Sequence, residues 1–207
     1  FKQDIIMIYI FQLKNFFVFK YFKIMNLTGL MFLSMILQLF PVNVFSQDNW
    51  IRQTSPVSTV LFNCVFTDSS NGWAAGDSGV IIHTSDGGNN WVKQITPVTY
   101  YINDIFFINK RLGWAIANEF LLDGTTILKT TNGGTNWTYE NFQDSVNIFR
   151  TVYFLDSLTG FIGGFSGVIF KTTDAGNSWN NTKNDSSVYS SFPIAKFVFT
   201  SNEIGFA

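Results

Sequence analysis

Few side chains in this sequence could do acid–base or metal chemistry. One histidine, His83, and one cysteine, Cys64, occur in 207 residues. Two acids stand in a repeated pattern: Asp86 in "TSDGGNNW" (Thr84 to Trp91) and Asp174 in "TTDAGNSW" (Thr172 to Trp179). The same frame returns with Asn132 in "TTNGGTNW" (Thr130 to Trp137). A lone histidine leaves a Ser-His-Asp triad poorly supported and gives a histidine-based metal site no partners. A lone cysteine excludes an internal disulfide and a cysteine-based zinc site. Calcium needs more oxygen ligands than "DGG" offers. Glycosidic-bond cleavage needs a carboxylate pair, or a tyrosine nucleophile, in a cleft. No catalytic residue, metal or cofactor is therefore expected.

The bland readings explain these residues better. His83 fills the frame position held by Lys129 and Lys171 and reads as a solvated strand residue. Cys64 reads as a small buried apolar residue. A catalytic motif seldom needs three copies, whereas a structural joint needs one per repeating unit. The eight-residue motif lies between two strand-like runs, such as "VIIHT" and "WVKQ", and so predicts a hairpin turn. Its glycines supply positive φ. Asp86, Asp174 and Asn132 can accept bonds from backbone N–H groups of their own turn, with Thr84, Thr130 and Thr172 adding another. Trp91, Trp137 and Trp179 bury a large ring that fixes the turn to its sheet.

The elements that position these turns are all strand-like. The chain is 18% aromatic and only 13% charged, and its abundant Phe, Val, Ile, Thr, Tyr and Trp suit a pleated, half-buried surface. Each unit opens on an apolar strand: "NCVFTD" at 63–68, "INDIFFI" at 102–108, "RTVYFLD" at 150–156 and "KFVFT" at 196–200. A Gly-aromatic pair follows: Gly72-Trp73, Gly113-Trp114, Gly160-Phe161 and Gly205-Phe206. The closing tryptophans are spaced 46 and 42 residues apart. That period, with several short strands per unit, predicts the blades of an all-β propeller. "NWIRQTSPV" at 49–57 resembles "NWVKQITPV" at 90–98, so Trp50 begins a strand expected to complete a last blade and close the ring. The chain itself reads as a fragment of about three to four blades, ending in the opening of a fourth unit.

The pattern Ser/Thr-x-Asp-x-Gly-x-x-Trp resembles the Asp-box, or bacterial neuraminidase repeat. It matches at Thr84, Asp86, Gly88, Trp91 and at Thr172, Asp174, Gly176, Trp179; the middle copy keeps Thr130, Gly134 and Trp137 around Asn132. "GWAAGDSGVI" (Gly72 to Ile81) and "GFIGGFSGVI" (Gly160 to Ile169) add a likeness to the photosynthesis system II assembly/stability factor propellers and the related sortilin-like ones. The resemblance implies a rigid, non-catalytic propeller that binds a protein or glycan at its loops, and an assembly or stability role. Its enzyme alternative is a glycoside hydrolase, sialidase-like or glucan-cleaving. Sialidases need three arginines around a carboxylate, but Arg52, Arg111 and Arg150 fall at different places in the repeat frame.

Binding residues are sought where the repeats differ. The second unit inserts residues within "NEFLLDGTT" (118–126), and further irregular stretches lie at 95–101, 138–147 and 180–192. Tyr100, Tyr101, Phe120, Tyr139, Phe142 and Tyr189 are the aromatic candidates. Residues 1–46 form a separate object, read as a secretory signal peptide with residues upstream of it. Lys14, Lys20 and Lys23 precede an uncharged run at 24–40, and Val44-Phe45-Ser46 offers a cleavage pattern. The alternative is an uncleaved anchor; translation starting at Met7 or Met25 fits either. Residues 47–207 hold the propeller repeats and carry 9 basic and 13 acidic residues, a net of −4. That balance argues against nucleic-acid binding. The expected place is outside the cell or on its surface, with a membrane met only through export or the anchor.

Overall fold

The structure, a computed structural model, describes residues 51–119, 124–142, 148–182 and 192–207. The export segment expected at 1–46, and Trp50, lie outside the described residues. Gln53 to Ala207 belong to one compact unit. Within it, three antiparallel meanders follow one another. The first has β1 Leu61–Phe66, β2 Gly72–Gly76, β3 Ile81–Thr84 and β4 Val92–Gln94. The second has β5 Tyr101–Phe107, β6 Gly113–Asn118, β7 Thr125–Thr130 and β8 Thr138–Phe142. The third has β9 Phe149–Phe154, β10 Gly160–Gly164, β11 Ile169–Thr172 and β12 Asn180–Asn181. Each is a four-stranded sheet paired in chain order, and a two-stranded sheet of β13 Val198–Phe199 and β14 Gly205–Phe206 opens a fourth. This is the expected propeller architecture, one sheet per repeat.

The Gly-aromatic pair has a steric cause. Phe66, Phe107, Phe154 and Phe199 end the first strands and stand opposite Gly72, Gly113, Gly160 and Gly205 on the second. Each phenyl ring lies over its glycine; a Cβ on Gly113 would come within 2.6 Å of the Phe107 ring. The aromatic that follows glycine then points the other way and reaches the next sheet. Trp73 stacks on Phe107 with centroids 3.7 Å apart and planes at 9°, and Trp114 stacks on Phe154 at 3.4 Å and 9°. Phe161 meets Phe199 at 5.2 Å and 31°. The closing tryptophan of the same blade meets each ring edge-on: Trp91 on Phe66, Trp137 on Phe107 and Trp179 on Phe154. Such pairs contribute roughly 0.5–1.5 kcal/mol beyond the area they bury.

Two apolar cores grow around these rings. Trp73, Ala75 and Ile81 of the first sheet join Ile105, Phe107, Leu128 and Trp137 of the second. Trp114, Ile116 and Ile127 join Phe149, Val152, Phe154 and Phe170 of the third sheet. Because β6 is covered on both faces, all six of its residues are buried, and its sequence "GWAIAN" is nearly continuous apolar rather than alternating. The outer strand β8 is exposed over its first four residues.

Two expectations need correction. Cys64 is exposed, not buried. Its neighbour Val65 packs against the first core, so alternation turns Cys64 to the opposite face of β1. His83 is half-buried rather than solvated, because the register places it opposite Trp73, and its ring stacks on the indole at 4.7 Å. Burial pushes its pKa below the usual histidine value, so the neutral ring predominates at pH 7. Lys171, at the same repeat position, holds its ammonium over the Phe161 ring at 5.7 Å.

Replacing Gly113 by Ala pushes a methyl group into the Phe107 ring, which Trp73 and Trp137 already hold in place. The expected cost is about 1–3 kcal/mol, read as a lower urea midpoint at unchanged slope.

Candidate functional site

The three Asp-box turns share one geometry. In the first, Thr84 Oγ1 accepts from the N–H groups of Asp86 (3.3 Å) and Gly88 (2.9 Å) and donates to Asp86 Oδ1 (2.8 Å). The same Oδ1 accepts from the Asn90 N–H at 2.9 Å, and Oδ2 accepts from Asn90 Nδ2 at 2.7 Å. In the third, Thr172 serves Asp174 and Gly176 alike, and Asp174 accepts from the Ser178 N–H (2.8 Å) and hydroxyl (2.6 Å). In the middle copy Asn132 Oδ1 accepts from Thr130 Oγ1 and the Asn136 N–H, at 3.0 and 2.9 Å. Its Nδ2, however, cannot accept a bond where the aspartates offer Oδ2. Gly88 and Gly134, at φ +93° and +85°, lie in the left-handed region the turn requires.

The bonds to their carboxylates hold both aspartates below the usual range. Hydrogen bonds from Ser178 bring Asp174 down to about 2, and those from Asn90 lower Asp86. A depressed folded pKa contributes stability above the unfolded value of 3.8, lost as pH falls toward 2. Neither group can serve as a general acid near neutral pH.

Each turn is also tied within its own blade, and the second and third are tied to the preceding blade as well. The N–H groups of Gly87, Gly133 and Ala175 donate to Ser70, Arg111 and Leu158 carbonyls, in the first turn of the same blade. The indole N–H of Trp73 donates to the Gly133 carbonyl at 3.0 Å, and that of Trp114 to the Ala175 carbonyl at 3.1 Å. These bonds run from one blade to the box of the next. Gln94, at the end of β4, adds a second donor to Gly133 at 2.7 Å.

A second repeated device was not read from the sequence. Asp68, Asn109 and Asp156 each accept two backbone N–H groups in the turn between first and second strands. Ser201 does the same with its hydroxyl in the fourth unit. All four stand four residues before the glycine of the Gly-aromatic pair, a spacing visible in the sequence.

A third set sits on the inner strands. Counting three residues back from Phe66, Phe107, Phe154 and Phe199 gives Asn63, Asp104, Thr151 and Lys196. Asp104 Oδ2 accepts from Thr151 Oγ1 (2.7 Å) and the Val152 N–H (3.0 Å). Its Oδ1 accepts from the Ile105 N–H at 3.0 Å and from Asn63 Nδ2, and Lys196 Nζ stands 3.6 Å away. Burial pushes the Asp104 carboxyl above the usual carboxylate range, against the pull of Lys196 and of these bonds.

Two rows of turn bonds thus repeat in register, with an Asp-box at the end of each third strand. The family model described as photosynthesis system II assembly factor YCF48 matches residues 42–144. The chain is an Asp-box propeller similar to YCF48. The structure of YCF48 bound to D1 peptide is 22% identical over 63% of this chain and 41% of that one, with a TM-score of 0.55. YCF48 from Cyanidioschyzon merolae is 23% identical over 62% of this chain and 41% of that one, TM-score 0.54. A GH74 enzyme from Niastella koreensis is 19% identical over 67% of this chain and 24% of that one, TM-score 0.52. The chain thus spans about two fifths of the length of the YCF48 structures, and at these identities the likeness concerns fold. No curated protein matches the chain in sequence.

Within this YCF48-like frame the aromatic candidates separate. Tyr100 packs against the first core, and its hydroxyl is 2.5 Å from Thr126 Oγ1. Tyr101 begins β5 beside Phe62, with centroids 6.0 Å apart. Tyr139 and Phe142 lie on strand β8 and not on a loop; Phe142 packs edge-on against Phe149 and Phe170, while Tyr139 is 53% exposed. Phe120 and Tyr189 lie outside the described residues. Arg111 sits in the turn after β5, whereas Arg150, near the start of β9, has its guanidinium 5.2 Å from the Phe165 ring centre.

Changing Asn132 to Asp supplies the missing acceptor to the middle turn. The unfolding temperature at neutral pH is expected to rise by about 2–4 °C. Calorimetry at falling pH checks the cause, because the gain must disappear once the new carboxylate is protonated.

Proposed function

We propose that this chain belongs to an exported, non-catalytic propeller scaffold that binds an extended segment of a partner protein, as an assembly factor does. The observation that carries the reading is the commitment of the repeated carboxylates. Asp86 and Asp174 spend both oxygens on their own turns, and Asn132 replaces the third acid altogether. A joint repeated in every blade needs no chemistry beyond holding the blades. The likeness to YCF48, which has been captured with a D1 peptide, supports a peptide as the partner. A rigid ring suits that task, because loops held by a stiff scaffold bind with little loss of entropy.

The contact face on this reading is the end of the blades where the first strands begin. Tyr101 stands there beside Phe62, which is half exposed. The segment entering β5 reaches the same end, and Asn118, at the end of β6, stands there opposite Tyr101. The apolar run at 24–40 supports export to the cell surface or beyond.

A second reading, glycoside hydrolysis, is favoured by the fold likeness to GH74 enzymes. It needs a second carboxylate beside Asp104, and the equivalent inner-strand positions carry Asn63, Thr151 and Lys196.

Fluorescence polarisation with a set of labelled membrane-protein terminal peptides tests the first reading. Saturable binding, weakened about tenfold or more by Tyr101→Ala with an unchanged unfolding midpoint, is expected. Failure of every peptide to bind, together with release of reducing sugar from glucan polymers, would move the assignment to the second reading.

A further inference from the structure

Asp104 is the one inner-strand acid in its row, and donors from three other repeats converge on it. Asn63 comes from β1, Thr151 and the Val152 N–H from β9, and Lys196 from the segment leading into β13. The side chain of Asp104 is 5% exposed and that of Lys196 is 62% exposed. The four partners therefore differ in kind. Asn63, Thr151 and Val152 are neutral donors fixed within the sheets. Lys196 is a charge on a long stem with open water on its other side. We infer that Asp104 is a proton-dependent clamp: ionised, it holds Lys196 and so tightens the inner strand of the fourth repeat, and protonated, it leaves that strand to its aromatic contacts with the third blade alone while the first three blades stay joined.

The chemistry of the step is local. The proton adds to Oδ2, where the Thr151 hydroxyl can turn from donor to acceptor. The N–H groups of Val152 and Ile105 and the amide of Asn63 still find oxygen. Only Lys196 loses its partner, because an ammonium beside a neutral carboxyl gains more from water. The other titratable group that feels Lys196 is Cys64 on β1; part of its thiol lies against protein, which holds its pKa above the usual value and keeps it neutral through the acid range. No further charged side chain stands among the hydrogen-bond partners of Asp104 in the described residues.

Burial sets the direction in pH. It raises the Asp104 pKa above 3.8, so the proton is taken at a higher pH than an exposed aspartate takes it. Two consequences of opposite sign follow. A carboxyl whose folded pKa is raised contributes most to global stability below 3.8 and progressively less as pH rises through the folded value. The tether to Lys196 exists only above that folded value. Acid should thus loosen β13 and β14 without loosening the three blades.

Amide hydrogen exchange, corrected for intrinsic rates, tests this at neutral pH and at pH 3.8, where a carboxyl with its pKa above that value is more than half protonated. In the unaltered chain, protection of the segment 197–206 is expected to fall about two- to fivefold in acid, while β9 and β10 hold theirs. Lys196→Gln should show the low value at both pH values, and Lys196→Arg should restore the pH response. Lys196 is largely exposed, so neither variant threatens folding. Equal protection of 197–206 at the two pH values in the unaltered chain overturns the inference. So does a pH response that survives in Lys196→Gln.

Discussion

Everything in this molecule depends on how one phenyl ring per repeat is held. Phe107 shows the case in full. Its own glycine makes room beneath it, its own Asp-box tryptophan meets it edge-on, and Trp73 of the preceding blade lies flat against it. The first two contacts are internal to a blade, and the third joins two blades. A four-stranded sheet cannot bury both of its faces alone, so the flat stack is where separate sheets become one body. The indole N–H of the same Trp73 then reaches the carbonyl of Gly133, locating the next turn by a directed bond as well as by area. Apolar burial holds the blades together without fixing direction; the hydrogen bond sets the angle at which they meet.

This arrangement explains why the Asp-box is spelled so fully. Its threonine and aspartate close the turn on itself, its fourth residue bonds the neighbouring turn of the same blade, and that residue's carbonyl is left for the preceding blade. The side chains that looked chemically useful are consumed in presenting that carbonyl at a fixed point. The third copy tolerates Ala175 at φ +64°, where the other two have glycine, which shows how strongly the surrounding bonds dictate the conformation.

Legibility in the sequence followed the range of the interaction. The Asp-box turns were readable because residues within eight positions determine them. The repeat, and hence the all-β propeller, was readable because every unit carries the same strand and turn signals. Partners across blades were not. Trp73 meeting Phe107 depends on sheet-to-sheet packing that no local window contains. Asp104 looked like one more residue of "INDIFFI", because its equivalents Asn63, Thr151 and Lys196 share a position but not a type. His83 and Cys64 were misjudged for a related reason: exposure depends on which face a strand turns to a neighbour, and alternation alone does not say which face is covered. Tyr139 and Phe142 looked irregular because an outer strand has little apolar face to show.

The placement of the two halves of each joint has a consequence for how such a protein can grow. Each of the first three repeats carries an aromatic ring to offer forward and a phenyl ring with a turn carbonyl to receive from behind. A tandem copy of any unit therefore arrives with both a plug for its successor and a socket for its predecessor. Nothing in the joint between Trp73 and Phe107, or between Trp114 and Phe154, counts the blades. The number in a ring must be set elsewhere, by the wedge angle of the sheets and by whatever occupies the axis, and the joints themselves are free to be duplicated.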